Sequence, residues 1–305
     1  MAAQVSINAG YDRLTRAGSF AAQLLEEQGL PIITPYNLFW LINRVYKENK
    51  QRRLYLRRET PQEQEYNRLR RNLMAANVLR MDRDYGSRAY AVTAIPDLAA
   101  DEILCIVDPL CHISFLSAMQ RWGLTNRASE KLQIVRPDRR TSREKLNQIM
   151  QKAEESFGPE RNPISLPIIS HPNKVRRKLI SVTETSSHRE CQQLRGTEAR
   201  IARIEQTFID MVQHPEKCGG MRHVIDVWAE HAKRFILPII EYADKNTKGL
   251  VQSRVGYIVE EVVGIQNELV NSWVANAQRG GSRLLDPQKP FASKFSERWA
   301  LSINV

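Results

Sequence analysis

The sequence predicts an α+β fold in two units: an N-terminal winged helix-turn-helix over residues 1–95 and a larger mixed α/β domain over residues 96–305. Three observations predict it. A capped, basic helix starting at Thr60 runs directly into a basic hairpin ending at Val92, the order a winged helix requires. Two helical patterns with their own start and stop signals precede it. Beyond Pro96 the basic density drops, and short strand-like runs mix with helical ones. A chain of 305 residues has room for both units.

The first ten residues read as a loose lead-in. Over residues 13–28, Leu14, Ala17, Ala21, Leu24 and Leu25 recur at helical spacing, and Gly29 stands where a helix C-cap would fall. A short extended link leads into Thr34-Pro35, an N-cap followed by a proline at the first helical position. That helix carries Leu38, Leu41, Ile42 and Val45 on one face and turns basic toward Lys50. Residues 52–58 alternate apolar and basic side chains around Leu54 and Leu56, which suits a short strand or a charged linker. Thr60-Pro61-Gln62-Glu63 has the form of a capping box, with Thr60 as N-cap and Glu63 reaching back. Tyr66, Leu69, Leu73 and Ala76 mark the buried face of the helix that follows. At about 100° per residue, Gln64, Asn67, Arg68 and Arg71 share the opposite face. The hairpin takes residues 78–81 and 88–92 as strands, with a polar turn over 82–87.

Downstream, residues 97–107 read as helix, and Ser114 as the N-cap of a short helix closed by Gly123. Residues 133–137, 164–169 and 178–184 are strand candidates, and 142–155 is helical. Residues 201–212 read as strand-to-helix or as helix throughout. Two long helical stretches, 223–242 and 250–263, lead to an irregular tail with a last strand near Trp299.

A net charge of +11 suits a polyanionic partner. Its distribution says more: between Arg44 and Tyr90, 13 Lys/Arg stand against 6 Asp/Glu, so most of the excess lies on the predicted DNA-binding unit. No apolar run approaches the ~20 residues of a membrane-spanning helix, and no membrane partner is expected. The first ten residues lack the basic and apolar regions of a secretory signal. Four cysteines give no disulfide-framework density, and the expected compartment is the cytoplasm.

The side chains on the polar helix face are those that read bases and clamp phosphates. Gln64 and Asn67 suit adenine edges; Arg68 and Arg71 suit guanine or phosphate. Arg80, Arg83 and Arg88 of the hairpin are expected at phosphates or in the minor groove, with Arg70 nearer the core as an edge or phosphate residue. The competing reading is an ordinary solvated helix face beside a soluble hairpin. Arg52, Arg53, Arg57 and Arg58 fit backbone contacts and an exposed linker equally well.

Other chemistries find little footing. His188-x-x-Cys191 and Cys218-x4-His223 match no common zinc spacing, so no metal is expected. No G-x-S-x-G elbow surrounds Ser114 or Ser117, Asp210 and Glu205 lack a carboxylate–lysine strand partner, and no glycine loop is built for phosphate or dinucleotide. No catalytic residue, enzyme activity or cofactor is expected.

Three segments of the second half carry a resemblance. His112-Ile113-Ser114-Phe115-Leu116-Ser117-Ala118-Met119 with Trp122-Gly123-Leu124-Thr125 is the first. Ile204-Glu205-Gln206-Thr207-Phe208-Ile209-Asp210-Met211, with Pro215 and Gly219-Gly220, is the second. Arg254-Val255-Gly256-Tyr257-Ile258-Val259-Glu260 is the third, and Leu285-Asp286-Pro287 with Arg298-Trp299 closes the pattern. In order and spacing they resemble the AbiEi family of antitoxins and transcriptional regulators from type IV, abortive-infection toxin–antitoxin systems. With the winged helix the resemblance covers nearly the whole chain. Two positions depart from it: Gln206 stands where that family usually has Arg, and His112 where an aromatic such as Tyr is common.

The resemblance implies an autorepressor whose winged helix binds inverted repeats of double-stranded DNA in its own promoter. It implies that the C-terminal domain neutralises a nucleotidyltransferase-like toxin encoded next door, without a stable complex. No leucine-rich dimer helix stands out, so a monomer binding paired sites cooperatively is expected. Two alternatives remain: a nuclease delivered by a winged helix, and a ligand-responsive regulator unrelated to any toxin.

Overall fold

The computed structural model describes residues 14–157, 162–187, 189–277 and 281–305. The predicted lead-in lies outside them, as do His188 and Gly280. The fold is mixed α+β with several sheets.

The N-terminal part is built from helices α1 (Arg16–Gln28), α2 (Pro35–Lys47), α3 (Asn49–Arg52) and α4 (Glu63–Ala75) around a small sheet. Thr15 caps α1 through the Gly18 N–H at 3.1 Å, and Gly29 ends it at φ 67°. Strand β1 (Ile32–Ile33) pairs antiparallel with β3 (Gly86–Val92), which pairs in turn with β2 (Leu79–Asp82), giving the order β1-β3-β2. Thr34 accepts the Asn37 N–H at 3.2 Å, the predicted cap of α2. Thr34→Ala is expected to cost about 1 kcal/mol, read as a lowered urea midpoint with an unchanged slope.

Residues 52–58 form neither regular strand nor open linker. The Asn49 side chain accepts the Leu56 N–H (3.0 Å) and donates to the Leu56 carbonyl (2.8 Å), folding the segment back on itself. The helix predicted from Thr60 begins instead at Glu63, with Gln62 as its N-cap. Glu65 accepts the Gln62 N–H at 3.1 Å and also meets Arg58 at 3.3 Å, so Glu65, and not Glu63, is the better-anchored acidic partner.

The chain continues through α5 (Ala100–Val107), β4 (His112–Ile113), α6 (Phe115–Arg121), β5 (Leu132–Pro137) and α7 (Arg139–Phe157). Strands β6 (Lys174–Val175), β7 (Lys178–Thr185), β8 (Cys191–Gln193) and β9 (Arg200–Ala202) complete a second sheet of order β6-β7-β5-β4-β9-β8. Parallel β5 and β7 are joined through α7, a βαβ crossover. Residues 164–169, predicted as strand, run irregularly: Leu166 and Ile169 bury their side chains, while the expected ladder partners are absent among the described residues. Ser114 takes the N-cap position of α6, but its hydroxyl is buried and unbonded. Gln133 does the capping instead, its Oε1 accepting the Ser117 N–H at 3.2 Å.

The third layer is helical: α8 (Ile204–Gln213), α9 (Met221–His231), α10 (Ile236–Asn246), α11 (Leu250–Tyr257), α12 (Glu268–Ser272) and α13 (Val274–Ala277). The stretch predicted as one helix over 223–242 is broken by a 3₁₀ turn at Ala232–Phe235, and α11 runs into a π turn at Ile258–Val262. A small sheet of β10 (Arg283–Leu284), β12 (Leu301–Ser302) and β11 (Phe295–Ser296) closes the chain against this layer.

Hydrophobic burial does not stop at residue 95. Leu146 of α7 and Leu166 join Leu25, Leu38, Ile42 and Leu73 in the N-terminal core. Ile32, Tyr85 and Ala89 pack into a second core with Ile103, Ile134 and Ile201. The N-terminal part therefore shares its apolar contacts with the sheet that follows it.

Candidate nucleic-acid interface

Helix α4 owes its orientation to its apolar side. Tyr66, Leu69 and Leu73 are buried, and the Tyr66 ring lies 6.2 Å from Phe39 of α2. Gln64, Arg68 and Arg71 are exposed on the other side, and Asn67 is half-buried beside them. Arg71 lies along the helix, its Nε donating to the Asn67 carbonyl at 3.2 Å. Arg68 stands beside the Tyr46 hydroxyl, whose pKa burial raises and the guanidinium partly pulls back. The stripe is thus brought together as predicted, with both arginine heads at the surface.

Arg70 differs from its expected role as an edge or phosphate residue. Its Nη1 donates to the Tyr90 hydroxyl at 2.8 Å, with the guanidinium between the Tyr66 and Tyr90 rings. It fastens α4 to β3. A guanidinium half-buried between two tyrosines is spent on packing and is poorly placed to meet a phosphate.

The hairpin is held more tightly than a solvated wing would be. The Asp82 carboxylate accepts the N–H groups of Asp84 (3.0 Å) and Tyr85 (3.1 Å), and Gly86 takes the φ of 58° that closes the turn. Arg176, its side chain 7% exposed, then grips the turn from outside. Its guanidinium meets Asp82 at 2.7 Å, Asp97 at 2.9 Å and Asp84 as well. Arg176 and Arg177 form the two-residue turn between β6 and β7 with φ 48° and 66°, a conformation that glycine or asparagine normally supplies. The three carboxylates offset that backbone cost.

Tyr85 adds a second anchor. Its hydroxyl bonds His171 Nδ1 at 2.9 Å, His171 Nε2 bonds Asp108 at 3.1 Å, and Asp108 faces Arg136 at 3.2 Å. Asp108, Cys111 and His171 are close enough to hold a metal ion. The arrangement suits a relay better: both His171 nitrogens are engaged, and Arg136 already balances the carboxylate.

These anchors redistribute the predicted hairpin arginines. Arg83 pairs with Asp97 at 2.8 Å. Arg88 donates to the Tyr85 carbonyl at 3.2 Å and to the Ser170 carbonyl. Arg80 is exposed on β2, next to Met81, itself 56% exposed. Arg80 is therefore exposed without a partner among the described residues, whereas Arg83 and Arg88 are tied within the chain. Sequence reasoning missed Arg176 and Tyr85, because their partners lie 79 to 94 residues away and no local pattern joins them.

No family model matches the chain, and no curated protein does. Among solved structures, the RV2827C protein from Mycobacterium tuberculosis is similar at 11% identity and a TM-score of 0.47, over 95% of this chain and 92% of that one.

The positions that carried the sequence resemblance take scaffold roles. Arg254 donates twice to the Leu284 carbonyl, at 3.0 and 2.9 Å. Asp210 is fully buried, paired with Arg189 and bonded by Gln206 at 2.7 Å, so its carboxylate is enclosed. Glu205 turns away to Arg203 at 2.8 Å. The two acids face different partners, which does not favour a shared metal.

Proposed function

We propose that the chain binds double-stranded DNA through α4 and the following hairpin as a winged helix-turn-helix. On this reading it represses its own promoter and serves as the antitoxin of a type IV toxin–antitoxin pair. The observation that carries the DNA reading is the two-sidedness of α4. Tyr66, Leu69 and Leu73 face the core, while Gln64, Arg68 and Arg71 are exposed, as is Arg80 of the hairpin. An open helix face bearing two guanidiniums and an amide fits a major groove, where such groups read base edges and phosphates. The order α1, β1, α2, α4, hairpin, with β1 completing the sheet beside β3, supports the winged-helix assignment.

The antitoxin reading rests on the AbiEi-like segments. Its support is that they pack as one scaffold, with Gly256 against Trp299 and Arg254 against Leu284. Neutralisation of a nucleotidyltransferase-like toxin then belongs to the region beyond Pro96, without a stable complex, in the cytoplasm. Monomers would meet inverted repeats cooperatively. Co-expression with the neighbouring toxin gene checks this part: growth should be rescued by the full chain, and failure of rescue removes the antitoxin reading alone.

The DNA part is tested by gel shift on DNA from upstream of the gene. The double variant Arg68→Ala/Arg71→Ala is expected to abolish the shift while leaving circular dichroism unchanged. Arg80→Ala should weaken binding at every sequence and lower the salt slope by about one. Native affinity in the double variant would place the interface elsewhere.

A further inference from the structure

A second cationic feature lies at the carboxyl ends of parallel β5 and β7, where α7 begins. Here a cavity of about 240 Å³ is lined by Arg136, Lys145 and Arg189, by the hydroxyl residues Thr141, Ser186 and Ser187, and by His112 at its base. Among the described residues no carboxylate lines it. Such a place, outside the strand ends of a βαβ crossover and at a helix N-terminus, is where backbone geometry favours an anion.

Not all of its basic side chains are satisfied. Arg136 borders the cavity only at the strand end: His112 pairs with Val135, so the Arg136 side chain leaves the sheet on the other face, where Asp108 and the Ile169 carbonyl hold it. Arg189, its side chain 6% exposed, gives Nη1 to Asp210 and leaves Nε without one. His112 Nε2 is buried and unbonded as well. Burial, reinforced by Arg189, Arg200 and Lys145, holds the His112 pKa down to about 3, so the ring stays neutral. Asp138 stands before α7, its carboxylate accepting the Thr141 N–H at 2.8 Å and bonding Arg140, and Arg140 also pairs with Glu144 at 3.3 Å. Buried donors without acceptors favour an anion.

We propose that this cavity binds a phosphate group, free or carried on a small phosphomonoester. Its volume lies below the roughly 300–1,000 Å³ of ordinary ligand pockets, which favours a small molecule over a dinucleotide. Arg189 supplies a fixed donor backed by Asp210, Lys145 supplies the uncompensated charge, and His112 with the hydroxyls completes the shell. The proposal is independent of the DNA-binding reading.

Isothermal titration of the full chain with inorganic phosphate, and separately with ribose 5-phosphate, tests it. Saturable 1:1 binding of at least one probe is expected. Lys145→Gln should weaken it by about tenfold or more, the loss of one charge-assisted contact. Lys152→Gln, an exposed position farther along α7, should stay within about twofold. Tighter binding of ribose 5-phosphate identifies a carried phosphate; equal or weaker binding identifies the free anion. Absence of saturable heat with both probes up to about 10 mM overturns the proposal, as does unaltered affinity in Lys145→Gln.

Discussion

Replacing Arg176 with alanine is expected to destabilise the chain by about 3–5 kcal/mol, the usual consequence of removing one partner of a buried ion pair. Asp82 is 1% exposed at its side chain and would keep only its two backbone N–H bonds. The Arg176-Arg177 turn would retain its left-handed backbone without the contacts that offset it. The pH dependence carries the signature. Burial alone would raise the Asp82 pKa, but Arg176 and the N–H groups of Asp84 and Tyr85 outweigh it and leave it below the ordinary carboxylate value.

A depressed folded-state pKa contributes stability that is present above the unfolded value, about 3.9, and is lost as pH falls through the folded one. The wild-type urea midpoint should hold above about pH 5 and decline below about pH 4. In Arg176→Ala, burial is less opposed, the Asp82 pKa rises, and the decline begins at higher pH. Arg176→Lys should fall between the two, because a single ammonium cannot fork across three carboxylates. An extrapolated stability of Arg176→Ala within about 1 kcal/mol of wild type would overturn the buried ion-pair grip.

Gly256→Ala is expected to be among the most damaging single-methyl changes. A Cβ at that position would fall 2.2–2.6 Å from three atoms of the Trp299 ring. The ring has no room to retreat: it is fully buried, its Nε1 donates to Glu260 at 2.9 Å, and Glu260 also receives Arg298 at 2.7 and 3.0 Å. Overpacking typically costs 1–3 kcal/mol, and an immovable indole puts this site at about 3 or more. Trp299→Leu alone leaves a cavity. Combined with Gly256→Ala it should cost less than the sum of the two singles, since the smaller side chain admits the methyl. Thermal unfolding of the four proteins decides the matter; additivity would mean that the two residues do not meet as described.

Local physics was legible in the sequence, and long-range pairing was not. Thr34-Pro35 and Gly29 announced their helix ends because a hydroxyl and a missing Cβ act within one turn. The apolar side of α4 followed from spacing alone, and all four residues read as buried are buried. Its start was misread by two residues, since Thr60/Glu63 and Gln62/Glu65 offer the same spacing, and the Glu65 bonds to the Gln62 N–H and to Arg58 decide for the second. Residues 164–169 resembled a strand because their apolar content serves packing against the N-terminal core, a demand that needs no ladder. Among the candidate interface residues, the stripe on α4 was legible as one face. Arg83 and Arg88 were not separable from Arg80, because Asp97 and the Ser170 carbonyl that occupy them are brought in by the fold.

The grip on the hairpin turn also sets a timetable. Asp82 and Tyr85 leave the ribosome well before Asp108, Arg136, His171 and Arg176, the last of them 91 positions after Tyr85. At roughly 5–20 residues per second, the turn waits about 5–20 s for its final partner. Until then the turn has only its own bonds, from the Asp84 and Tyr85 N–H groups to Asp82, and water around the rest. A nascent chain therefore gains the Arg176 and His171 anchors of its hairpin turn only after the strands between have been made, so the fully anchored hairpin is a late product of synthesis.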